Sequence, residues 1–213
     1  MTGSWESTRI WLLAAFTAAA VLVAATTAAA VIGLDHHNNR DGGSRDDDRG
    51  TSWMWMHAQV DDEADYLSRM VAHHREAVAA AGQLTRSDRP QMRAFGADII
   101  RTQSAQIEQM NAWLDRWYPE EPADPDYQPM MRDLADLSGN ALDRAFLRDM
   151  TVHHMAAVMM SQQLLAHGLA THDEVAELAR TIRDQQHTEI LRMQQWLSSW
   201  YGESRHGGPS MMR

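Results

Sequence analysis

Histidine and methionine recur in this chain as two Met-x-x-His-His sets. The two sets are Met70 with His73 and His74, and Met150 with His153 and His154. Residues three and four apart lie along one side of an α-helix, so each set can point into the interior of a helical bundle. Imidazole binds copper, zinc, iron and nickel, whereas a thioether favours soft ions such as Cu(I). The two sets therefore predict a metal site in which imidazole and thioether groups converge.

Four further residues complete the candidate metal-ligating set: Met160, Met110, Met193 and His187. Met160 continues the helix side that carries the second His pair. Met110 and Met193 are equally consistent with simple core packing, since Met is a common filler of apolar interiors. His187 has Ser104 at its repeat position, so it is either an asymmetric ligand or a surface residue.

The absence of cysteine bears on which metal is expected. The 213-residue chain has 15 Met and no Cys, and in an oxidising compartment thioethers resist oxidation better than thiolates. Copper as Cu(I), or another soft or borderline ion, is therefore the expected cofactor. Because neutral imidazole is the ligating form and its reference pKa is about 6.5, we expect metal affinity to weaken below about pH 6.

Apolar side chains at spacings of three and four predict helices through most of the chain after residue 60. The predicted helices span about 61–82, 88–117, 140–168 and 171–201, with a short helix at about 130–137. Ser87 and Asp88 are expected to cap the second helix, with Pro90 in its first turn. Thr171 and Glu174 have the spacing of a capping box for the fourth helix.

The second half of this helical region repeats the first. An offset of 80 residues superimposes the two Met-x-x-His-His helices, and an offset of 83 superimposes the helices that follow them, for example Met110 on Met193. Two such hairpins joined by one long connection predict an all-α fold, a ferritin-like four-helix bundle built from two duplicated helical hairpins. A period near 80 residues is too long for a solenoid repeat.

The N-terminal region differs from the rest of the chain in composition. Residues 10–34 contain no charged side chain, and these 25 positions exceed the roughly 20 that a helix needs to cross a bilayer. We predict a transmembrane anchor or signal segment at 1–34, a flexible linker at 35–60, the bundle at 61–201 and a disordered tail at 202–213. The domain is expected outside the cytoplasm, held at the cell membrane by a single-pass helix, or secreted if the Ala run at 28–30 is cleaved.

Charge and motif content narrow the function classes. The formal net charge of −10 argues against a nucleic-acid partner, because no basic stripe is present to neutralise phosphates. A ferritin-like di-metal oxidase normally uses Glu-x-x-His motifs, and neither His pair has one, so no enzyme activity is predicted. The favoured function is an extracytoplasmic protein that sequesters or transfers Cu(I) or Ag(I). The alternatives are a metal-free envelope bundle that acts as an interaction module and, behind it, a ferritin-like metallo-oxidase. The sequence identifies no protein partner and leaves homo-oligomer formation open.

The repeated pattern also has the form of a known family. In the second copy it reads Phe146-Leu147, Met150, His153-His154 and Ala157, followed by Gln186, Glu189-Ile190, Met193 and Trp196-Leu197. The pattern resembles the domain family of unknown function numbered 305, over roughly residues 61–201. The resemblance implies a ferritin-like fold in exported or membrane-anchored bacterial proteins, and the CopM-like members of this family are periplasmic copper binders. The first copy has Ala80 in place of Met160 and Gln106 in place of Glu189, which implies that its site is the weaker one.

The N-terminal anchor can be tested on the mature protein. We expect the protein to stay in the membrane fraction with an intact N-terminus, because the uncharged run at 10–34 is longer than the roughly 7–15 apolar residues of a typical cleaved signal. N-terminal sequencing is the measurement. A mature N-terminus near Ala30 would show cleavage and rule out the anchor.

Overall fold

The computed structural model describes residues 59–121 and 127–203, and every regular element within them is helical. The elements are α1 (Glu63–Gly82), a short 3-10 helix (Gln83–Arg86), α2 (Pro90–Trp117), α3 (Gly139–Ala166) and α4 (Asp173–Tyr201). The predicted anchor at 1–34, and most of the predicted linker and tail, lie outside the described residues. Within the described part of the chain, none of the helices is apolar over a length that could cross a membrane.

The four helices have the directions of a ferritin-like bundle. α1 and α3 are antiparallel, since the Tyr66 hydroxyl near the start of α1 lies 3.1 Å from the Ser161 hydroxyl near the end of α3. The two helices within each hairpin are antiparallel as well, since Tyr118 after α2 donates to Glu63 at the start of α1, and Tyr201 at the end of α4 donates to Asn140 at the start of α3. α2 therefore runs parallel to α3. The end of α2 and the start of α3 therefore lie at opposite ends of the bundle, as do the two helix ends that the single long crossover joins in ferritin-like folds. The predicted four-helix, all-α fold is confirmed.

Two apolar clusters fill the bundle, one towards each end. The first cluster surrounds Phe95 and Phe146 and draws on the end of α1 and the start of α3. The second surrounds Tyr66 and Leu67 and draws on the start of α1 and the end of α3. The two His pairs lie at the middle of α1 and α3, between the parts of these helices that contribute to the two clusters.

The start of α4 differs from the sequence prediction. The Thr171–Glu174 capping box is wrong, because α4 begins at Asp173 and His172 occupies the N-cap position without a side-chain capping bond. The carboxylate of Glu63 on α1 takes that role instead. It accepts the backbone N–H groups of Thr171 at 2.5 Å and of His172 at 2.8 Å. A buried carboxylate from another helix therefore satisfies the positive end of α4.

Two further local predictions are also wrong. Residues 130–137 form turns and no helix. The N-cap position of α2 belongs to Arg89, which makes no side-chain capping bond; the Ser87 hydroxyl accepts the Arg89 N–H at 3.1 Å and so closes a local turn before the helix. Pro90 starts α2, as its position predicted.

The duplication extends to the two ends of the bundle, where a carboxylate, a cationic or titratable side chain and a Trp ring recur at equivalent positions. One end has Glu63, His172 and Trp117, and the other has Asp143, Arg89 and Trp200. The His172 ring stacks 3.7 Å from the Trp117 ring and bonds Glu63 at 2.6 Å. The Arg89 guanidinium lies 4.7 Å from the Trp200 ring centre and 2.8 Å from Asp143.

Close contact between α1 and α2 at Gly96 provides a stability test. A Cβ added at Gly96 would lie 2.8 Å from the backbone oxygen of Ala81 and 3.0 Å from Leu84 Cβ, so Gly96→Ala should push the helices apart and lower the free energy of unfolding by about 1–3 kcal/mol. Gly82→Ala is the matched control, since nothing lies within 4 Å of its added Cβ. It should be neutral or stabilising by up to about 1 kcal/mol. Urea unfolding measures both, and equal stability of the two variants would contradict the close contact.

Candidate metal centre

Four buried imidazoles occupy the middle of the bundle. The side chains of His73, His74, His153 and His154 are each at most 1% exposed. The His73 and His153 rings lie 3.6 Å apart at an interplanar angle of 32°. Each is 6.2 Å from the ring of its sequence neighbour. The antiparallel packing of α1 on α3 thus brings the two predicted His pairs together.

Each of the four rings places its Nε2 atom on an oxygen. The partners are the His153 carbonyl for His73 at 3.0 Å, Gln106 Oε1 for His74 at 2.9 Å, Glu76 Oε2 for His153 at 3.1 Å and Glu189 Oε2 for His154 at 2.6 Å. The amide nitrogen of Gln106 donates to Gln185 at 3.1 Å, which supports its oxygen facing the ring. Carbonyl and carboxylate oxygens only accept, so the N–H of every ring lies on Nε2.

The opposite ring nitrogen is left without a partner in all four residues. The Nδ1 atoms of His73, His74, His153 and His154 are buried and have no hydrogen bond to the protein. Metal-ligating histidines have the same arrangement, since one nitrogen binds the ion and the other donates its N–H to a carboxylate, a carbonyl or water. A buried unpaired nitrogen otherwise costs about 1–3 kcal/mol. Each of the four Nδ1 atoms is therefore a candidate metal ligand.

The ligand set available here combines imidazole with thioether. Among the described residues, 59–121 and 127–203, no group of three or more His, Cys, Asp or Glu side chains has an arrangement that could hold a metal ion. A site at this position therefore depends on ring nitrogens together with Met sulfur atoms, which favours a soft ion over Mg²⁺ or Ca²⁺.

Burial sets the protonation of the cluster. Desolvation holds the pKa of His73 and of His153 well below the ordinary value, and repulsion between neighbouring imidazolium charges lowers the pKa further. The pKa of His74 falls to about 3, mainly by burial. These rings are neutral at pH 7, so His153 donates to Glu76 as a neutral N–H. Proton competition for a metal on these three residues begins at a lower pH than the reference value suggested.

The structure places the candidate methionines on both sides of the His cluster. Met70, Met110 and Met160 belong to the apolar cluster around Tyr66, and Met150 and Met193 belong to the cluster around Phe146. All five are at most 2% exposed. Met160 lies six residues beyond His154, roughly 9 Å along the helix axis, and packs at the end of the bundle that holds Met70. His187 is exposed on α4 and is not part of the buried cluster.

Glu76 is the residue that sequence reasoning missed. It lies three residues after His73, on the same side of α1, while the equivalent position of the second copy is Ala156. The available signal was a carboxylate one helical turn from a candidate ligand.

Gln103 and Gln186 are a second pair of interest. They occupy equivalent positions, are 3% exposed, and have side-chain oxygens without a hydrogen-bond partner in the protein.

Two antiparallel hairpins with paired histidines at the centre and methionines on either side define a His/Met-rich four-helix bundle protein. The chain belongs to the family described as a domain of unknown function, DUF305, whose model matches residues 63–197 and 143–212. No curated protein shows a significant match.

Solved structures of similar proteins have the same fold. CopM in its Cu(I)-bound form is 30% identical with a TM-score of 0.59, and the match covers 68% of this chain and all (100%) of CopM. CopM co-crystallised with Ag is 30% identical, with a TM-score of 0.58 and coverage of 66% and 98%. A DUF305 fragment from Deinococcus radiodurans is 32% identical, with a TM-score of 0.56 and coverage of 64% and 95%.

Because the buried imidazoles are neutral in the folded protein, we expect the free energy of unfolding to fall in acid. The unfolded chain binds protons at its histidines below about pH 6.5, whereas the folded chain keeps His73, His74 and His153 neutral. The free energy of unfolding should therefore fall as the pH falls from 7 towards 5, by up to about 1.4 kcal/mol per pH unit for each proton.

Urea unfolding of metal-free protein at a series of pH values measures this slope. A variant with Gln at all four histidines is the control and should have a much smaller slope. Equal slopes for the two proteins would show that the cluster is not the cause.

Proposed function

We propose that this protein binds Cu(I) or Ag(I) outside the cytoplasm, through the paired histidines and the neighbouring methionines, and that it sequesters the ion or passes it on without catalysis. One observation carries the proposal. Four buried Nδ1 atoms have no partner while all four Nε2 atoms are held by oxygens. The proposed location follows from the uncharged run at 10–34, which would export or anchor the domain.

The chemistry of the interior favours a monovalent soft ion. The candidate ligands, imidazole and thioether, are neutral, and the surrounding clusters are apolar. A monovalent ion buries one charge in this setting, whereas a divalent ion buries two at a much higher desolvation cost. Thioethers also select Cu(I) over harder ions. CopM, at 30% identity, has solved structures in Cu(I)-bound, Cu(II)-bound and Ag-bound forms. This comparison supports copper or silver as the metal, and the preference for the monovalent ion rests on the ligand chemistry alone.

The two His pairs should differ in affinity because their hydrogen-bond acceptors differ in charge. His153 and His154 donate to the carboxylates of Glu76 and Glu189. His73 and His74 donate to a backbone carbonyl and to an amide oxygen. A carboxylate acceptor raises the basicity of the imidazole as a ligand. We therefore propose that the second pair binds more tightly. The sequence-based reasons for that ranking were Met160 and the exchange of Gln106 for Glu189. The acceptor roles of Gln106 and Glu189 support the second reason, whereas Met160 belongs to the same apolar cluster as Met70 and Met110 of the first hairpin.

Thioether ligands are available to both pairs. Met70 lies one helical turn before the first His pair and shares an apolar cluster with Met110. Met150 lies one turn before the second pair and shares the opposite cluster with Met193. We propose these two methionine pairs as the soft ligands on either side of the imidazoles, with Met160 as an additional one near Met70.

Cu(I) titration against a competing chelator tests the metal site. The double variant His153→Ala, His154→Ala should lose more Cu(I) affinity than His73→Ala, His74→Ala. A change in an acceptor next to a metal-bound His typically alters affinity about 10–100-fold, so a difference of about tenfold or more is expected. His167→Ala, at an exposed residue after α3, is the control and should bind as the unmodified protein does. Circular dichroism checks that each variant remains helical.

A variant with Ala at all four histidines decides between the two function classes. It should lose Cu(I) binding altogether if imidazole supplies ligands. Unchanged affinity and stoichiometry in this folded variant would eliminate the site and leave the metal-free interaction module.

A further inference from the structure

One carboxylate connects the His cluster to the long connection between the hairpins. Glu76 Oε2 accepts the Nε2–H of His153 at 3.1 Å and also the hydroxyl of Tyr127. Glu76 Oε1 accepts the backbone N–H groups of Met130 and Met131, each at 2.8 Å. The side chain is only 13% exposed. The carboxylate of Glu76 thus bonds a candidate ligand on α3 through Oε2 and the segment at 127–131 through both oxygens.

This arrangement is specific to one half of the duplicated bundle. The position equivalent to Glu76 is Ala156, so His73 donates to a backbone carbonyl. The asymmetry follows from the topology, because a ferritin-like bundle has one crossover connection and it can pass only one of the two equivalent positions. Tyr127 of this connection also approaches the cluster, with its ring 6.4 Å from the His73 ring in an edge-on contact.

We propose that Glu76 is a positioning residue that couples the connection at 127–131 to the His153 ring. Its charge favours a donor at His153 Nε2, which keeps Nδ1 free as a ligand, and the same charge holds the connection beside the cluster. The effect of metal on the segment at 127–131 rests on the proposed metal-binding function, whereas the hydrogen bonds of Glu76 do not. A cation bound at Nδ1 makes the Nε2–H a stronger donor, so metal binding strengthens the bond to Glu76 and with it the order of the segment.

Other contacts hold the connection at 134–137, so we expect a change at Glu76 to leave this part in place. The Arg86 guanidinium donates to the carbonyls of Leu134, Ala135 and Leu137 at 2.7–2.8 Å. Leu137 N–H donates to the Leu134 carbonyl at 3.1 Å. The Leu137 amide therefore serves as an internal reference for the two amides that bond Glu76.

The first experiment uses the full metal-free protein and NMR. Glu76→Ala should speed hydrogen exchange of the Met130 and Met131 amides by about tenfold or more, because each loses a bond to a charged acceptor, while Leu137 exchanges as before. The exchange-protected Nε2–H signal of His153 should disappear in the same variant. Glu189→Gln is the matched control, since it changes the acceptor of His154 and should leave both amides protected.

Glu76→Gln keeps the size of the side chain and serves if the alanine variant does not fold. An amide has one acceptor oxygen in place of two, so protection should be lost at His153 Nε2 or at the Met130 and Met131 amides. Unchanged protection of all three groups in the folded variant would overturn the coupling role of Glu76.

The second experiment adds Ag(I) and separates this inference from the proposed function. Ag(I) should slow exchange at Met130 and Met131 in the unmodified protein and in Glu189→Gln, and should have no effect on these amides in Glu76→Gln. Bound Ag(I) without any change at these amides would refute the coupling. Absence of Ag(I) binding, measured by titration, would refute the proposed function and leave the metal-free result on Glu76 intact.

Discussion

The interior of this bundle has to satisfy four imidazoles in a space that water does not reach. Each ring carries one N–H donor, and an unpaired buried donor costs as much as a substantial part of the stability of a small domain. The acceptors for these four N–H groups come from side chains of α1, α2 and α4 and from the main chain of α3. The relative positions of all four helices are therefore tied to the orientation of these rings. The same bonds leave one nitrogen of each ring free, so the constraint that fixes the fold also prepares the site.

Duplication explains why two half-sites share one geometry and why they differ in detail. Offsets of 80 and 83 residues superimpose the His pairs, Met70 on Met150, Met110 on Met193, and the residues at the two bundle ends; Met160 has Ala80 at its equivalent position. The differences lie in the polar groups next to the rings. Gln106 corresponds to Glu189, and Ala156 corresponds to Glu76. The two hairpins thus have the same scaffold and unequal electrostatic surroundings.

The local sequence pattern was sufficient to predict the helices. Helix caps and the acceptors of the imidazoles depend on contacts between residues far apart in the sequence, and these were not predicted. Helical periodicity placed the four long helices to within a few residues, because the apolar spacing that defines them is local. The capping box at Thr171 failed because Glu63, 108 residues away, provides a better acceptor for the same N–H groups. The Met-x-x-His-His spacing predicted that the imidazoles would converge in the interior, and the four rings do so. The role of Glu76 depends on the path of an irregular connection, and no periodicity encodes that path.

The acceptor of His73 is a main-chain carbonyl, and this has an evolutionary consequence. A substitution can exchange Gln106 or Glu189 for a residue of different charge, and each exchange alters the basicity of one imidazole while the backbone stays in place. An exchange at Glu76 alters a third imidazole and also removes the acceptor of the Met130 and Met131 amides. No substitution at residue 153 deletes its carbonyl oxygen, so the fourth ring keeps its partner through sequence drift. Lineages that inherit this bundle can therefore diverge in how strongly three of the rings donate electrons, while the fourth remains a fixed reference point.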